Sequence, residues 1–126
     1  MATQAEYHAG ETVRDNAAEE DVRMVIVDPE RGRAEAVFVG ARDASVAELN
    51  PTVPPDDPVV SCVHEDWLNR HVGDQWKQWK RETFVERLTA FAERWGLQLK
   101  TYDYPVSRLR PVHKSPAGGQ SSIADW

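Results

Sequence analysis

Residues 59 to 71, VVSCVHEDWLNRH, hold the only cysteine of the chain, two of its four histidines and two adjacent carboxylates. In a strand, Cys62 and His64 point to the same side, which brings a thiol and an imidazole within reach of one metal ion, or of each other as nucleophile and base. Asp66 and His71 complete a four-ligand set if the chain turns back. The cysteine pairs that mark zinc sites are absent, and no glycine motif for an oxyanion hole accompanies Cys62. The stretch therefore reads first as a strand end. Cys62 is then a small buried hydrophobe, His64 and Glu65 meet solvent, and Trp67 and Leu68 anchor a polar connection. The metal set Cys62, His64, Asp66 and His71 is the alternative.

A second chemistry needs carboxylates. If the strands ending at Asp28 and Asp103 lie side by side and parallel, both acids sit at carboxyl ends, where Glu82 or Glu86 from a helix can join them. Three carboxylates at strand ends are what a two-metal nuclease uses to hold Mg²⁺. The order strand, strand, strand, helix, strand resembles the start of a ribonuclease-H-like fold, although the sequence stops before that fold's later elements. The plainer reading gives Asp28 to an Asp-Pro turn, and Glu82 and Glu86 to a solvated helix face.

A third pattern is the run KTYDYPVSRLRPVHK, residues 100 to 114. Tyr102 and Tyr104 precede Arg108, Arg110 and Lys114, and the segment WKQWKR adds Lys77, Lys80 and Arg81. Aromatic and cationic side chains interleaved in this way stack unpaired bases and neutralise phosphates. Against that, the tyrosines can pack in a sheet and the arginines can pair with acids.

These residues need elements to position them. DVRMVIVD (21 to 28) and RAEAVFVG (33 to 40) are β-rich and separated by PERG, with Gly32 free to take positive φ, which predicts a hairpin. Ser45 and Glu48 form a capping-box pattern for a short helix stopped by Pro51. Four prolines in PTVPPDDP give an extended linker, and a third strand starts near Val59. From Asp74 to Gly96 the large apolar residues Trp76, Trp79, Phe84, Leu88, Phe91 and Trp95 recur at intervals of three, five, four, three and four. That stripe predicts one amphipathic helix of about 21 residues. LQLKTYDYPV follows as a fourth strand, parallel to the third because a helical crossover separates them. The expected fold is α+β: a mixed four-stranded sheet with one long helix on one face. The chain divides into an acidic flexible leader (1 to 20), a single α+β domain (21 to 112) and a flexible tail (113 to 126).

Charge is lopsided. Residues 1 to 66 hold fifteen acids against five arginines, and residues 67 to 126 hold six acids against ten bases, within a net of −6. Such polarity suits an anionic partner or self-association, or neutralisation of one half by the other. Eleven arginines against four lysines fit a GC-rich genome and a saline cytoplasm. No run of about 18 apolar residues and no signal-peptide pattern is present, and the lone cysteine fits a reducing compartment, so a cytoplasmic protein is expected.

Both faces of the predicted sheet are apolar: on the first strand Val25 and Val27 point one way and Met24 and Ile26 the other, and on the third Val59 and Val63 lie on one side and Val60 and Cys62 on the other. One long helix covers one face, so the second calls for the short helix, the leader, a second subunit or a partner. The leading expectation is a non-enzymatic binding protein without a cofactor, a homo-oligomer or accessory subunit. The alternatives are a nucleic-acid-binding regulator using the basic half and a metal-dependent hydrolase using Asp28 and Asp103.

Overall fold

The computed structural model describes residues 7–112. The fold is α+β, with a sheet of antiparallel strands and a few helices, the longest of them amphipathic and packed on one face. Strands β1 (Thr12–Asp15), β2 (Arg23–Arg33), β5 (Pro58–His64), β6 (Tyr102–Pro105) and β7 (Leu109–Pro111) form one sheet in the order β6-β5-β2-β1-β7. The short strands β3 (Phe38–Val39) and β4 (Ala44–Ser45) pair separately. Helices α1 (Val46–Leu49), α2 (Glu65–His71) and α3 (Phe84–Trp95) complete the fold.

Three expectations change. The sheet has five strands rather than four, and every neighbouring pair in it is antiparallel. The hairpin over 21–40 does not form. Residues 23–33 make one bulged strand whose partners are β1 and β5, and Gly32 takes φ 138° at an irregularity in that strand instead of at a hairpin tip. Two strands are added, β1 and β7, while residues 34–40 lie outside the sheet; β1 comes from the segment read as a flexible leader, and Tyr7 from that segment reaches the core.

The helix expected from Asp74 is broken. Asp74–Gln78 and Arg81–Thr83 are 3₁₀ turns, with Trp79 and Lys80 extended between them, and α3 follows directly. The five-residue step from Trp79 to Phe84 is the misfit in the stripe, since it rotates the face by about 140° at 100° per residue. Gly96 ends α3 in the left-handed conformation, as expected, with the N–H of Leu97 donating to the Ala92 carbonyl. Two helical segments, α2 and α3, with a corner between them, return the chain antiparallel to β5, whereas a single helix would have returned it parallel.

The apolar second face needs no partner. β6 and β7 occupy opposite edges of the sheet, about 19 Å apart if it were flat, yet only the 3₁₀ turn Val106–Arg108 joins them. Four residue steps reach about 14 Å at most, so the sheet must curl. The bulges in β2 assist the bend. Inside the curl lie Val13, Met24, Ile26, Val60, Cys62 and Leu109, closed over by Tyr7 and Tyr104. Helices α2 and α3 cover the outer face through Val25, Val63, Leu68, Phe84 and Leu88. The capping box at α1 forms as expected, with Ser45 and Glu48 bonding reciprocally.

Candidate functional site

The opening stretch is divided by the fold. Cys62 and His64 share the inner face, but the chain becomes helical at Glu65. Asp66 then lies in the first turn of α2 and His71 in its last, about 7.5 Å apart along the axis. The Asp66 charge suits the helix dipole, and His71 lies against Trp67 with ring centres 4.6 Å apart. Burial, with a smaller contribution from Asp103, pushes the Cys62 thiol up to about 12, which keeps it protonated at neutral pH. The connection expected from Glu65 onward is thus a helix, marked by acids at its start and Arg70 and His71 at its end.

The carboxylates are separated in a different way. Asp28 pairs with Ser61, and Ser61 with Asp103, so the acids sit in one row with β5 between them, about 10 Å apart. Arg31 holds Asp103 at 3.3 Å, and Asp28 accepts the N–H of Glu30. Glu82 and Glu86 are exposed on the helical layer. Among the described residues no three His, Cys, Asp or Glu side chains converge on a common point. The resemblance to a ribonuclease-H-like start ends with the parallel pair it required.

The aromatic and basic run splits into two groups. Residues 109–111 pair with β1 as an edge strand of the sheet. Arg108 precedes β7 and grips Asp15 on the neighbouring strand β1, its Nη2 2.7 Å from Oδ2 and its Nε 2.8 Å from Oδ1. A third contact goes to Asn50 Oδ1, and the guanidinium carbon lies 5.3 Å from the Tyr104 ring centre. Burial acts to raise the Asp15 carboxyl. The Arg108 hydrogen bonds and charge, with the N–H groups of Ala17 and Ala18, outweigh it and hold the carboxyl below its ordinary value. Tyr104 is pushed up to about 12, by burial first and then by Asp15, and its hydroxyl lies 3.0 Å from His64 Nε2. Burial lowers His64 in turn, against the pull of Asp66 and Asp15. Asp57, also buried, accepts both the N–H and the hydroxyl of Ser107 and so pins the turn before β7. This network closes the barrel-like curl.

Tyr102 remains outside, 41% exposed, against His64 and beneath Lys100. It lines a groove of about 490 Å³ at the β6 edge together with Val39, Arg42 and Leu49.

Lys80, Arg81 and Arg110 are placed otherwise. Gly10, at φ 89°, packs against the backbone of Arg81, a contact that leaves no room for a Cβ. Its N–H donates to the Ile26 carbonyl, so the helical layer is docked on β2 at this point. Beside it, Trp79 lines two adjoining hollows. One, of about 420 Å³, is bounded by Thr12, Arg81 and Pro111; the other, of about 530 Å³, by Gln75, Gln78, Lys80, Thr83 and Arg87. The second hollow has no acidic lining residue. Among the described residues Lys80, Arg81, Arg87 and Arg110 form no ion pair, whereas Lys77 pairs with Asp74. Lys114 lies outside the described residues. Trp79 and Arg87 are additions to the sequence-derived set. Their signal was the five-residue misfit at Trp79 and the exposed Arg87 four residues before Phe91.

The fold is that of an α+β protein with a curled antiparallel sheet, with Trp79, Lys80, Arg81 and Arg87 lining hollows on its helical side. No protein-family model, no curated protein and no solved structure matches the chain. No described helix is long and apolar enough to cross a membrane.

Proposed function

We propose that this chain is a non-enzymatic binding protein that takes an anionic partner on the outer surface around Trp79. The observation that carries the reading is the contrast in ion pairing. Arg108 is held by Asp15, while Lys80, Arg81 and Arg87 stand beside the half-buried indole of Trp79 in no ion pair among the described residues, with Glu11 the one acid that lines either hollow, on the Arg81 side. Cations left unpaired beside an aromatic ring lose little hydration and gain charge-assisted contacts when an anion arrives. The acid-rich half of the sequence orients the approach, since it repels the same partner elsewhere. A cytoplasmic setting fits this reading and belongs to the proposal.

The test is retention of the full chain on a polyanionic matrix such as heparin. The triple variant Lys80→Ala, Arg81→Ala, Arg87→Ala should elute at clearly lower salt with an unchanged unfolding midpoint. Equal retention of variant and parent would contradict the reading.

Self-association is a second reading, favoured by Trp95. This residue continues the buried stripe of α3 (Leu88, Phe91, Ala92) yet is 61% exposed, packed only against Phe91 and Arg94. Sedimentation of the parent and of Trp95→Ala tests it. A dimer lost in the variant supports the reading, and a monomeric parent removes it.

A further inference from the structure

Resting on the binding reading above, we infer that the anionic partner is single-stranded nucleic acid, with an unpaired base stacked on Trp79. The indole is held by tilted contacts to Phe84 and Phe91, with ring centres 5.9 and 6.3 Å away, so its orientation is fixed before anything binds. It separates two hollows, and a planar group entering either one meets it. A strand laid across the indole passes Lys80 and Arg87 on one side, where no acid lines the hollow, and Arg81 beside Glu11 on the other, so the phosphate on the Lys80 and Arg87 side meets the stronger positive charge.

The larger hollow is an open concavity of about 530 Å³. Its uncharged polar lining includes the Gln78 amide, which can donate and accept at a base edge, and the Gln75 amide and Thr83 hydroxyl, which donate to the Val72 and Lys80 carbonyls and keep acceptor oxygens for a ligand. An acidic peptide would satisfy the cations but would leave the indole and the amides without partners. A duplex presents phosphates to the same cations but keeps its bases stacked and out of reach of Trp79. The chemistry of the lining therefore selects an unpaired strand.

The experiment titrates the full chain into labelled oligothymidine, a duplex of equal length and poly-glutamate, reading anisotropy over a range of salt. The single strand should bind tightest, with a logarithmic salt slope of about −0.7 for each phosphate neutralised. Trp79→Ala should weaken binding about 5- to 100-fold, the span expected for loss of one stacked base, and Trp79→Phe should recover most of it. Lys80→Ala with Arg87→Ala should make the slope shallower by about 1.4, which tests the site even if Trp79→Ala folds poorly. Binding of poly-glutamate in preference to both nucleic acids would overturn the inference and leave the binding reading standing. Duplex binding that is equal to the single strand and insensitive to Trp79→Phe and to the double variant would also overturn it. Failure of every polyanion would sink both.

Discussion

Two clusters in this molecule use the same residue types for opposite ends. Inside the curl, Arg108 lies on Tyr104, grips the buried Asp15 and links through Tyr104 to His64. On the outer surface, Lys80, Arg81 and Arg87 stand around Trp79 and form no ion pair among the described residues, although Glu11 lines the hollow on the Arg81 side. Both clusters read alike in sequence, as cations next to aromatics. The difference is an acid supplied from far along the chain: Asp15 is 93 residues from Arg108 and meets it because β1 and β7 pair, with Asp15 opposite Leu109. A cation paired between neighbouring strands closes a structure, and a cation left unpaired beside a half-buried ring is free for a partner.

The core beneath the inner cluster should respond most strongly to change. Ile26→Ala, which truncates a fully buried side chain, should destabilise by about 2 to 5 kcal/mol in chemical denaturation. A loss below about 1 kcal/mol would mean that the inner face is not the closed core described here.

Arg108→Ala follows, with an expected loss of about 2 to 4 kcal/mol. It leaves Asp15 buried without its partner, and the figure sits below the full cost of breaking a buried pair because Arg108 stays about a third exposed. The change sharpens the comparison if Arg87→Ala, on the other cluster, alters the midpoint by less than about 0.5 kcal/mol.

Gly10→Ala probes the junction between the clusters. Its positive φ and its contact with the Arg81 backbone leave no room for a methyl group, so a loss of about 1 to 3 kcal/mol is expected. The variant should also shift the fluorescence of Trp79, which borders the same hollow. A neutral substitution would mean that the leader segment does not dock the helical layer.

Acid should loosen the inner cluster in two stages. His64 is held below the ordinary imidazole value, so the unfolded chain binds a proton that the folded chain does not. Stability present at neutral pH therefore declines as pH falls below about 6.5. Asp15 is held below the carboxylate range, and its contribution is lost further down, as pH falls below about 4 and through its folded value. Denaturation midpoints measured across this range should show both declines, and His64→Gln should flatten the upper one. A midpoint that rises on acidification would contradict the assignment.

Much of the fold was legible because its signals are local. The capping box of Ser45 and Glu48, the stop at Gly96 and the apolar strand of residues 59–63 each depend on neighbours within a few positions. The errors were long-range. No local pattern in residues 12–15 announces a strand, because its partners lie in β2 and β7. The apolar second face was visible, but the sequence gives no view of the curl that covers it. For the candidate site, the sequence leaves open whether Tyr104 and Arg108 pack and pair or face a partner, because Asp15, which pairs with Arg108, is so distant in sequence, while Lys80, Arg81 and Arg110 are exposed. Trp79 was assigned wholly to the core, since a large aromatic at helical spacing usually faces inward. The extended corner at Trp79 and Lys80 instead leaves it half-buried.

The contrast between the clusters is tested most directly by hydrogen exchange of the full chain with and without saturating oligothymidine. The account predicts added protection at residues 10–12, 75–87 and 109–112, with the inner strands unchanged because they are already closed. Protection confined to residues 39–50 and 100–104, at the β6 groove around Tyr102, would place the partner elsewhere and contradict it.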